Sequence, residues 1–195
     1  MSEAQQTRSE VLAKGALAVG AAYGALAVGP YVRRALSASG GGDVGILNFA
    51  LTLEYLEAKF YEEAKSRAKA SGELKSLVNL LAEDEQQHVE ALAATVKQLG
   101  GKPVAEPKFD FPYSGTAGFL KLAQTLEDTG VSAYNGAAPM IESKEVLAAA
   151  GGIVQVEARH AAAIRLQNGA EPSPAAFDPP LDEKQVLKAV EPFLA

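Results

Sequence analysis

Apolar side chains recur every three to four residues through four long segments of the chain, with polar side chains between them. This spacing is typical of amphipathic helices, and no segment of useful length shows the period of two that a half-buried strand requires. Asp43 is predicted to cap the first helix and Asp182 a short last one with the sequence EKQVLKAV. The predicted long helices cover about residues 43–70, 73–99, 114–138 and 143–168.

The connections between these helices predict how they are arranged. Residues 71–72 (SG) make a tight turn, so the first two helices should be antiparallel neighbours. The loop at 100–113 contains three prolines and can span about 45 Å, more than the ~38 Å length of a 25-residue helix. We therefore expect an all-α fold, a four-helix bundle with one long crossover over residues 43–170. Residues 171–195 are predicted to form a Pro-rich tail with the short helix.

Residues 1–42 form a hydrophobic segment and a linker. The stretch 11–30 (VLAKGALAVGAAYGALAVGP) is almost wholly apolar but short for a membrane span. TRSEVLAK resembles a twin-arginine export signal in which Ser9 replaces the second arginine, and ALSAS resembles a cleavage region. One interpretation is a signal or anchor, with an exported or membrane-associated protein. The other is an N-terminal helix docked on the mature, cytoplasmic protein.

Charge and cysteine content exclude several classes of function. The net charge of -6 argues against a nucleic-acid partner, which needs a basic surface. Because the chain has no cysteine, it cannot form disulfides, thiolate nucleophiles or iron–sulfur clusters. A bound metal ion would therefore need histidine and carboxylate ligands.

The two histidines of the chain stand in the same setting. His88 follows Glu85 in EQQHVEAL, and His160 follows Glu157 in EARHAAAI, each at a distance of three residues. Residues three apart share a helix face, so each pair presents a carboxylate and an imidazole together. The neighbouring positions on both faces are apolar, which predicts that the two pairs point into the bundle.

The first and third helices carry a second repeated pattern. Tyr61 follows Glu54 by seven residues, and Tyr134 follows Glu127 by seven, so each glutamate shares a face with a tyrosine. Each of these helices precedes a Glu-x-x-His helix by about thirty residues, as if one helix hairpin had been duplicated. Four buried carboxylates would be tolerated only with a counter-charge, and two divalent cations supply it. The predicted ligands of two iron or manganese ions are Glu54, Glu85, His88, Glu127, Glu157 and His160.

Each feature alone has an ordinary explanation, and only their combination favours a metal site. A single helical glutamate usually faces solvent, and a single buried histidine usually has a core role. Glu57 is one turn from Glu54 and could contact the ligands, but Gly130 occupies the equivalent place in the repeat, so symmetry predicts no ligand role for it. The glutamates predicted to be ordinary surface residues are Glu57, Glu62, Glu63, Glu83 and Glu90.

The segments DVGILNFALTLEYLEAKFYEEA, LAEDEQQHVEAL, LAQTLEDTGVSAY and VQVEARHAAAI resemble the ferritin-like superfamily, within it the ferritin-like domain proteins that include bacterioferritin- and rubrerythrin-type bundles and desiccation-related proteins. The resemblance implies that Glu85 and Glu157 bridge two metals and that His88 and His160 each bind one. By the same resemblance Glu54 and Glu127 are terminal ligands.

The resemblance also implies roles around the ligands. Tyr61 and Tyr134, the candidate catalytic residues, resemble tyrosines that hydrogen-bond the glutamates of neighbouring helices. Bacterioferritin-like proteins place an acidic partner for the histidine where this chain has Ala123, and Ala50 stands at the matching place on the first helix. The residue that orients each imidazole is therefore not identified by the resemblance.

Two functional classes follow. The first is a di-iron or di-manganese oxidoreductase that reacts with O2 or peroxide, similar to ferroxidases, rubrerythrins or manganese catalases. The second is a non-enzymatic metal-binding or stress-protective bundle in which the ions stabilise the core. The sequence does not decide between these two classes, and it does not identify the metal. It also leaves the oligomeric state open, and a homodimer is compatible with it.

Overall fold

A computed structural model describes residues 41–195 of the chain and confirms the all-α fold. The predicted hydrophobic helix within residues 11–30 lies outside the described residues. In the described part, no helix is both long and apolar enough to cross a membrane. The helices are α1 (Asp43–Arg67), α2 (Gly72–Gln98), α3 (Gly115–Ala137), α4 (Lys144–Gln167) and α5 (Glu183–Val190), with 3-10 turns at Ala138–Met140 and Glu191–Phe193.

The four long helices form two helix hairpins. In the first hairpin α1 packs along α2, and in the second α3 packs along α4. The hairpins meet through contacts of α1 with α3 and of α2 with α4. This pairing brings the middle of each helix to a common centre, as expected for a bundle whose two halves are joined by a crossover.

The crossover runs along α1 from near its beginning to its end. Near the beginning, the Asn48 side chain accepts a hydrogen bond from the Val104 backbone at 2.8 Å and donates one to the Lys102 carbonyl at 3.1 Å. At the far end, the Arg67 guanidinium donates to the Phe111 carbonyl at 2.7 Å. The loop thus returns along the length of the bundle, as the sequence predicts.

The helix starts show one correct and one wrong capping prediction. Asp182 caps α5 and forms a capping box. Asp43 does not cap α1, because Gly42 takes the N-cap position and Asp43 already lies in the first turn. Its carboxylate instead accepts hydrogen bonds from the backbone N–H groups of Glu142 and Ser143, both at 2.8 Å. Asp43 therefore ties the start of the first hairpin to the connection within the second.

The C-terminal tail lies against α3. The Leu181 backbone N–H donates to the Ser132 carbonyl at 2.9 Å. A Cβ atom at Gly136 would lie only 1.9 Å from the Leu181 carbonyl oxygen, so glycine is required for this close approach. The tail then leads into α5, where Val186 and Val190 are buried in the core.

Two apolar clusters fill the bundle on either side of its middle. One is rich in aromatic rings, and Phe60 stacks on Phe119 with ring centroids 5.3 Å apart. The other is mainly aliphatic and is formed by the beginning of α1 and α4 and the end of α2 and α3, including Leu51, Leu92 and Ile153. Any polar group placed between these clusters is shielded from water from both ends of the bundle.

Candidate metal centre

Each of the four long helices places one of the predicted glutamate ligands between the two apolar clusters. These four side chains have 0% exposure, although a buried carboxylate without a counter-charge is strongly unfavourable. His88 and His160 are also buried, at 9% and 5% exposure. The structure thus brings all six predicted ligands to one place, and the four glutamates are Glu54, Glu85, Glu127 and Glu157.

The six residues divide into two groups of four that share two members. In each group, the ligand atoms lie within 4.8 Å of one another. Atoms bound to one ion at about 2.1 Å can lie up to about 4.2 Å apart, so only a small contraction is needed. Glu85 and Glu157 belong to both groups, which suits a bridging position. Glu54 and His88 complete one group, and Glu127 and His160 complete the other.

Both imidazoles turn Nδ1 toward the carboxylates. His88 Nδ1 lies 3.0 Å from Glu85 Oε2 and 3.0 Å from Glu157 Oε1, while His160 Nδ1 lies 2.8 Å from Glu85 Oε1. His160 Nδ1 and Glu85 Oε1 nevertheless lack the alignment of a hydrogen bond. Six buried atoms of this site have no hydrogen-bond partner: Glu54 Oε2, Glu85 Oε1, Glu127 Oε2, both Glu157 oxygens and His160 Nδ1.

The two predicted tyrosines cross between the hairpins. The Tyr61 hydroxyl on α1 donates a hydrogen bond to Glu127 on α3, and the Tyr134 hydroxyl on α3 donates to Glu54 on α1. Each hydroxyl occupies one oxygen of its glutamate. The other oxygen of each glutamate remains directed at the centre without a hydrogen-bond partner. The tyrosines therefore fix the orientation of both carboxylates.

Burial and mutual repulsion disfavour ionisation of most of the carboxyl groups. Burial is the largest cause, and the charge of Glu157 adds to it. The groups whose pKa is raised well above the ordinary value in this way are Glu54, Glu57 and Glu127. Burial and repulsion thus favour the protonated form of these three carboxyl groups.

In contrast, the surroundings of Glu85 and of the two histidines favour their charged forms. Burial acts to raise the pKa of Glu85, but the adjacent imidazoles of His160 and His88 outweigh it and lower this pKa to about 2. Burial disfavours the charged form of His88, yet the surrounding carboxylates raise its pKa to about 12. The pKa of His160 is raised by Glu85 against the same effect of burial. The surrounding carboxylates thus favour the charged form of both imidazoles.

The structure identifies an orienting partner for one imidazole. His160 Nε2 lies 3.1 Å from Asp84 Oδ2, and this contact fixes the ring so that Nδ1 faces the centre. Asp84 directly precedes Glu85 on α2, whereas Val156 stands at the matching place on α4. Sequence reasoning missed Asp84 because its contact is with another helix.

The prediction that Glu57 is an ordinary surface residue is wrong. Its side chain is buried, with 3% exposure, and it points into the bundle one turn after Glu54. Gly130, the reason for giving Glu57 no role, lies directly against it: a Cβ atom there would be 3.0 Å from Glu57 Oε1. The three-residue spacing from Glu54 was a usable signal for this burial.

An open cavity of about 520 Å³ leads to the histidine side of the centre. It lies between α2 and α4, and both His88 and His160 line it. Asp84 and Arg159 also line this cavity and give it a polar lining beside several apolar side chains. Small solutes therefore have a route to the imidazoles from the surface.

The fold can be compared with those of known proteins. The chain matches the ferritin-like domain family over residues 42–170 and belongs to that family. A search of curated proteins found no match. The chain is similar in fold to the crystal structure of a conserved hypothetical protein, rv2844, from Mycobacterium tuberculosis, with 21% identity and a TM-score of 0.58. That similarity covers 68% of this chain and 94% of the other.

The residues present fit a metal centre. Buried oxygen and imidazole nitrogen atoms are the donors that iron and manganese accept in proteins, and here they converge without satisfying one another by hydrogen bonds. The glutamate and histidine cluster is thus compatible with metal binding.

Proposed function

We propose that this protein binds two iron or manganese ions and uses them in redox chemistry with O2 or peroxide, as a ferroxidase or peroxide-detoxifying enzyme. The observation that supports this most is the convergence of six buried donor residues with six unsatisfied donor atoms. Such an arrangement is unfavourable in an apolar core unless cations complete it. When bound, two metal ions of this kind can exchange two electrons with O2 or peroxide.

The surrounding residues suit this activity. Tyr61 and Tyr134 hold Glu127 and Glu54 in place, and Asp84 orients His160. The apolar clusters above and below exclude water, while the cavity beside the histidines admits small molecules. Because the chain has no cysteine to hold an iron–sulfur cluster, peroxide reduction would use an external electron donor.

Metal loading followed by oxidant addition tests the proposal. Metal-depleted protein is loaded with Fe(II) or Mn(II) without oxygen and counted for bound ions; O2 or hydrogen peroxide is then added and its loss is followed. We expect about two ions per chain and oxidant consumption well above that of the free ions. A matched control is Glu83→Gln, which changes an exposed glutamate on the same helix as Glu85 and should leave both results unchanged.

The competing function is a non-enzymatic, stress-protective metal-binding bundle. It is favoured by the same buried charges, since ions that neutralise them would stabilise the core without any reaction. Stoichiometric binding with no oxidant consumption would support this function and contradict the enzymatic one. Absence of any binding would contradict both.

A further inference from the structure

Glu57 places a fifth carboxylate beside the predicted ligands. Its side chain is buried on α1, and the charged groups that act on it are other carboxylates, chiefly Glu157 and Glu85. A buried carboxylate among anions is unfavourable unless a cation is bound nearby. Its presence among four other glutamates therefore needs an explanation that core packing does not give.

Gly130 provides the space that Glu57 occupies. A Cβ atom at Gly130 would lie 3.0 Å from Glu57 Oε1 and 3.4 Å from Glu157 Oε2, so both carboxylates lie against the same point of α3. Glu157 belongs to both groups of ligands. Gly130 stands inside a helix, where glycine is less favourable than alanine. Gly130 thus leaves room for the Glu57 carboxylate beside Glu157, while Glu57 itself lies outside both groups of ligands.

Glu57 also approaches from a different direction than the histidines. The imidazoles come from α2 and α4 and line the open cavity between these helices. Glu57 comes from α1 and lies against α3, where the first hairpin meets the second. The second hairpin has no equivalent carboxylate, because Gly130 occupies that position.

We propose that Glu57 is an additional carboxylate ligand of the metal pair, that Gly130 makes room for it, and that the two ions are consequently bound with unequal affinity. This inference rests on the proposed metal binding. It assigns the difference between the ions to a residue pair, Glu57 and Gly130, that breaks the symmetry of the two hairpins.

Calorimetric titration of the metal-depleted protein with Mn²⁺ tests the role of Glu57. The parent should show two binding events of different affinity. Glu57→Gln should still bind about two ions, with one event weakened by about tenfold or more because a ligand oxygen is lost. The control Glu83→Gln should match the parent. Two unchanged events in Glu57→Gln would overturn the inference, whereas a parent that binds no Mn²⁺ would overturn the proposed function itself.

Gly130→Ala tests the same inference without removing a charge. The added methyl group would push the Glu57 carboxylate away by a few tenths of an ångström, so this variant should weaken the same event by less than Glu57→Gln does. The double variant should bind no more weakly than Glu57→Gln alone. The control is Gly152→Ala on α4, where a Cβ atom meets nothing within 4 Å. Normal binding by Gly130→Ala, or additive losses in the double variant, would contradict the inference.

The metal-free proteins separate a ligand from a purely structural residue. Glu57→Gln replaces a buried carboxyl group, whose ionisation is disfavoured without metal, by a neutral amide of the same size, so the metal-free variant should melt no lower than the metal-free parent. Its gain in melting temperature on adding Mn²⁺ should be smaller than that of the parent. Equal losses of melting temperature with and without Mn²⁺ would show that Glu57 only supports the fold.

Discussion

The two helix hairpins supply nearly the same ligands but differ around them. Each provides a glutamate with a tyrosine two turns later, then a Glu-x-x-His pair, and each tyrosine bonds the glutamate of the other hairpin. Only the first hairpin adds Asp84 and Glu57, where the second has Val156 and Gly130. The residues that both hairpins have would bind the two ions with equal affinity. The residues that only the first hairpin has would make the two affinities unequal.

The largest expected effect comes from the two glutamates that belong to both ligand groups. Glu85→Ala and Glu157→Ala should each reduce binding of both ions by about a hundredfold or more, since each of these residues belongs to both groups that could hold an ion. Metal counting after gel filtration measures this. Loss of only one ion in either variant would show that the hairpins do not share these residues.

Removal of metal should lower the stability of the whole bundle, because both hairpins supply ligands. An ion present at about a hundred times its dissociation constant adds about 2.7 kcal/mol, so two ions add about 5.4 kcal/mol, and each kcal/mol shifts the melting temperature of a domain of this size by about 2–4 °C. Chelation at neutral pH should therefore lower the melting temperature by about 10 °C or more. An unchanged melting curve would contradict a stabilising role for the ions.

The same chelated protein should lose stability as pH rises. The pKa values of Glu54 and Glu127 are raised above 4.5 and that of His88 above 6.5 to about 12, so the folded state binds more protons than the unfolded state above these ordinary values. Their contribution is complete at low pH and falls as pH rises through the raised pKa values. Glu85 acts in the opposite direction, but only between about 2 and 4.5.

Melting of the chelated protein between about pH 5 and pH 9 checks this sign. We expect a falling melting temperature without metal and a much flatter curve with metal, because bound ions replace the protons. A melting temperature that rises with pH in the chelated protein would contradict the charge assignment of the cluster.

The histidines test whether each hairpin serves one ion. His88→Ala and His160→Ala should each bind about one ion per chain where the parent binds about two, because each imidazole belongs to one ligand group. Equal losses would agree with the repeat. Full occupancy in both variants would exclude the histidines as ligands.

Asp84→Asn should produce a smaller and one-sided effect. Asp84 contacts His160 Nε2, so its replacement should lower the affinity for the ion of the His160 group by about tenfold. The affinity for the other ion should not change. Titration with Mn²⁺ in the parent, Asp84→Asn, His160→Ala and the double variant measures this. A loss that adds to that of His160→Ala would mean that Asp84 acts independently of the imidazole.

Periodicity was enough to predict the helices, the crossover and the six converging residues, because spacing along one helix decides which side chains share a face. It was not enough for contacts between helices. Asp43 bonds residues 142 and 143 of the second hairpin, and Asp84 reaches His160 on α4. Gly130 was misread for the same reason: its missing side chain matters to Glu57 on α1 and Glu157 on α4. These contacts depend on how far one helix is shifted along another, which a single sequence does not specify.

The exchange of hydrogen bonds between Tyr61 and Glu127 and between Tyr134 and Glu54 bears on the order of folding. Each hairpin can form from local contacts, but joining them closes the long crossover and brings all the carboxylates together in the same step. Like charges oppose that step until protons or cations neutralise them. We therefore expect the association of the two preformed hairpins to limit the folding rate, and metal ions present during refolding to accelerate it.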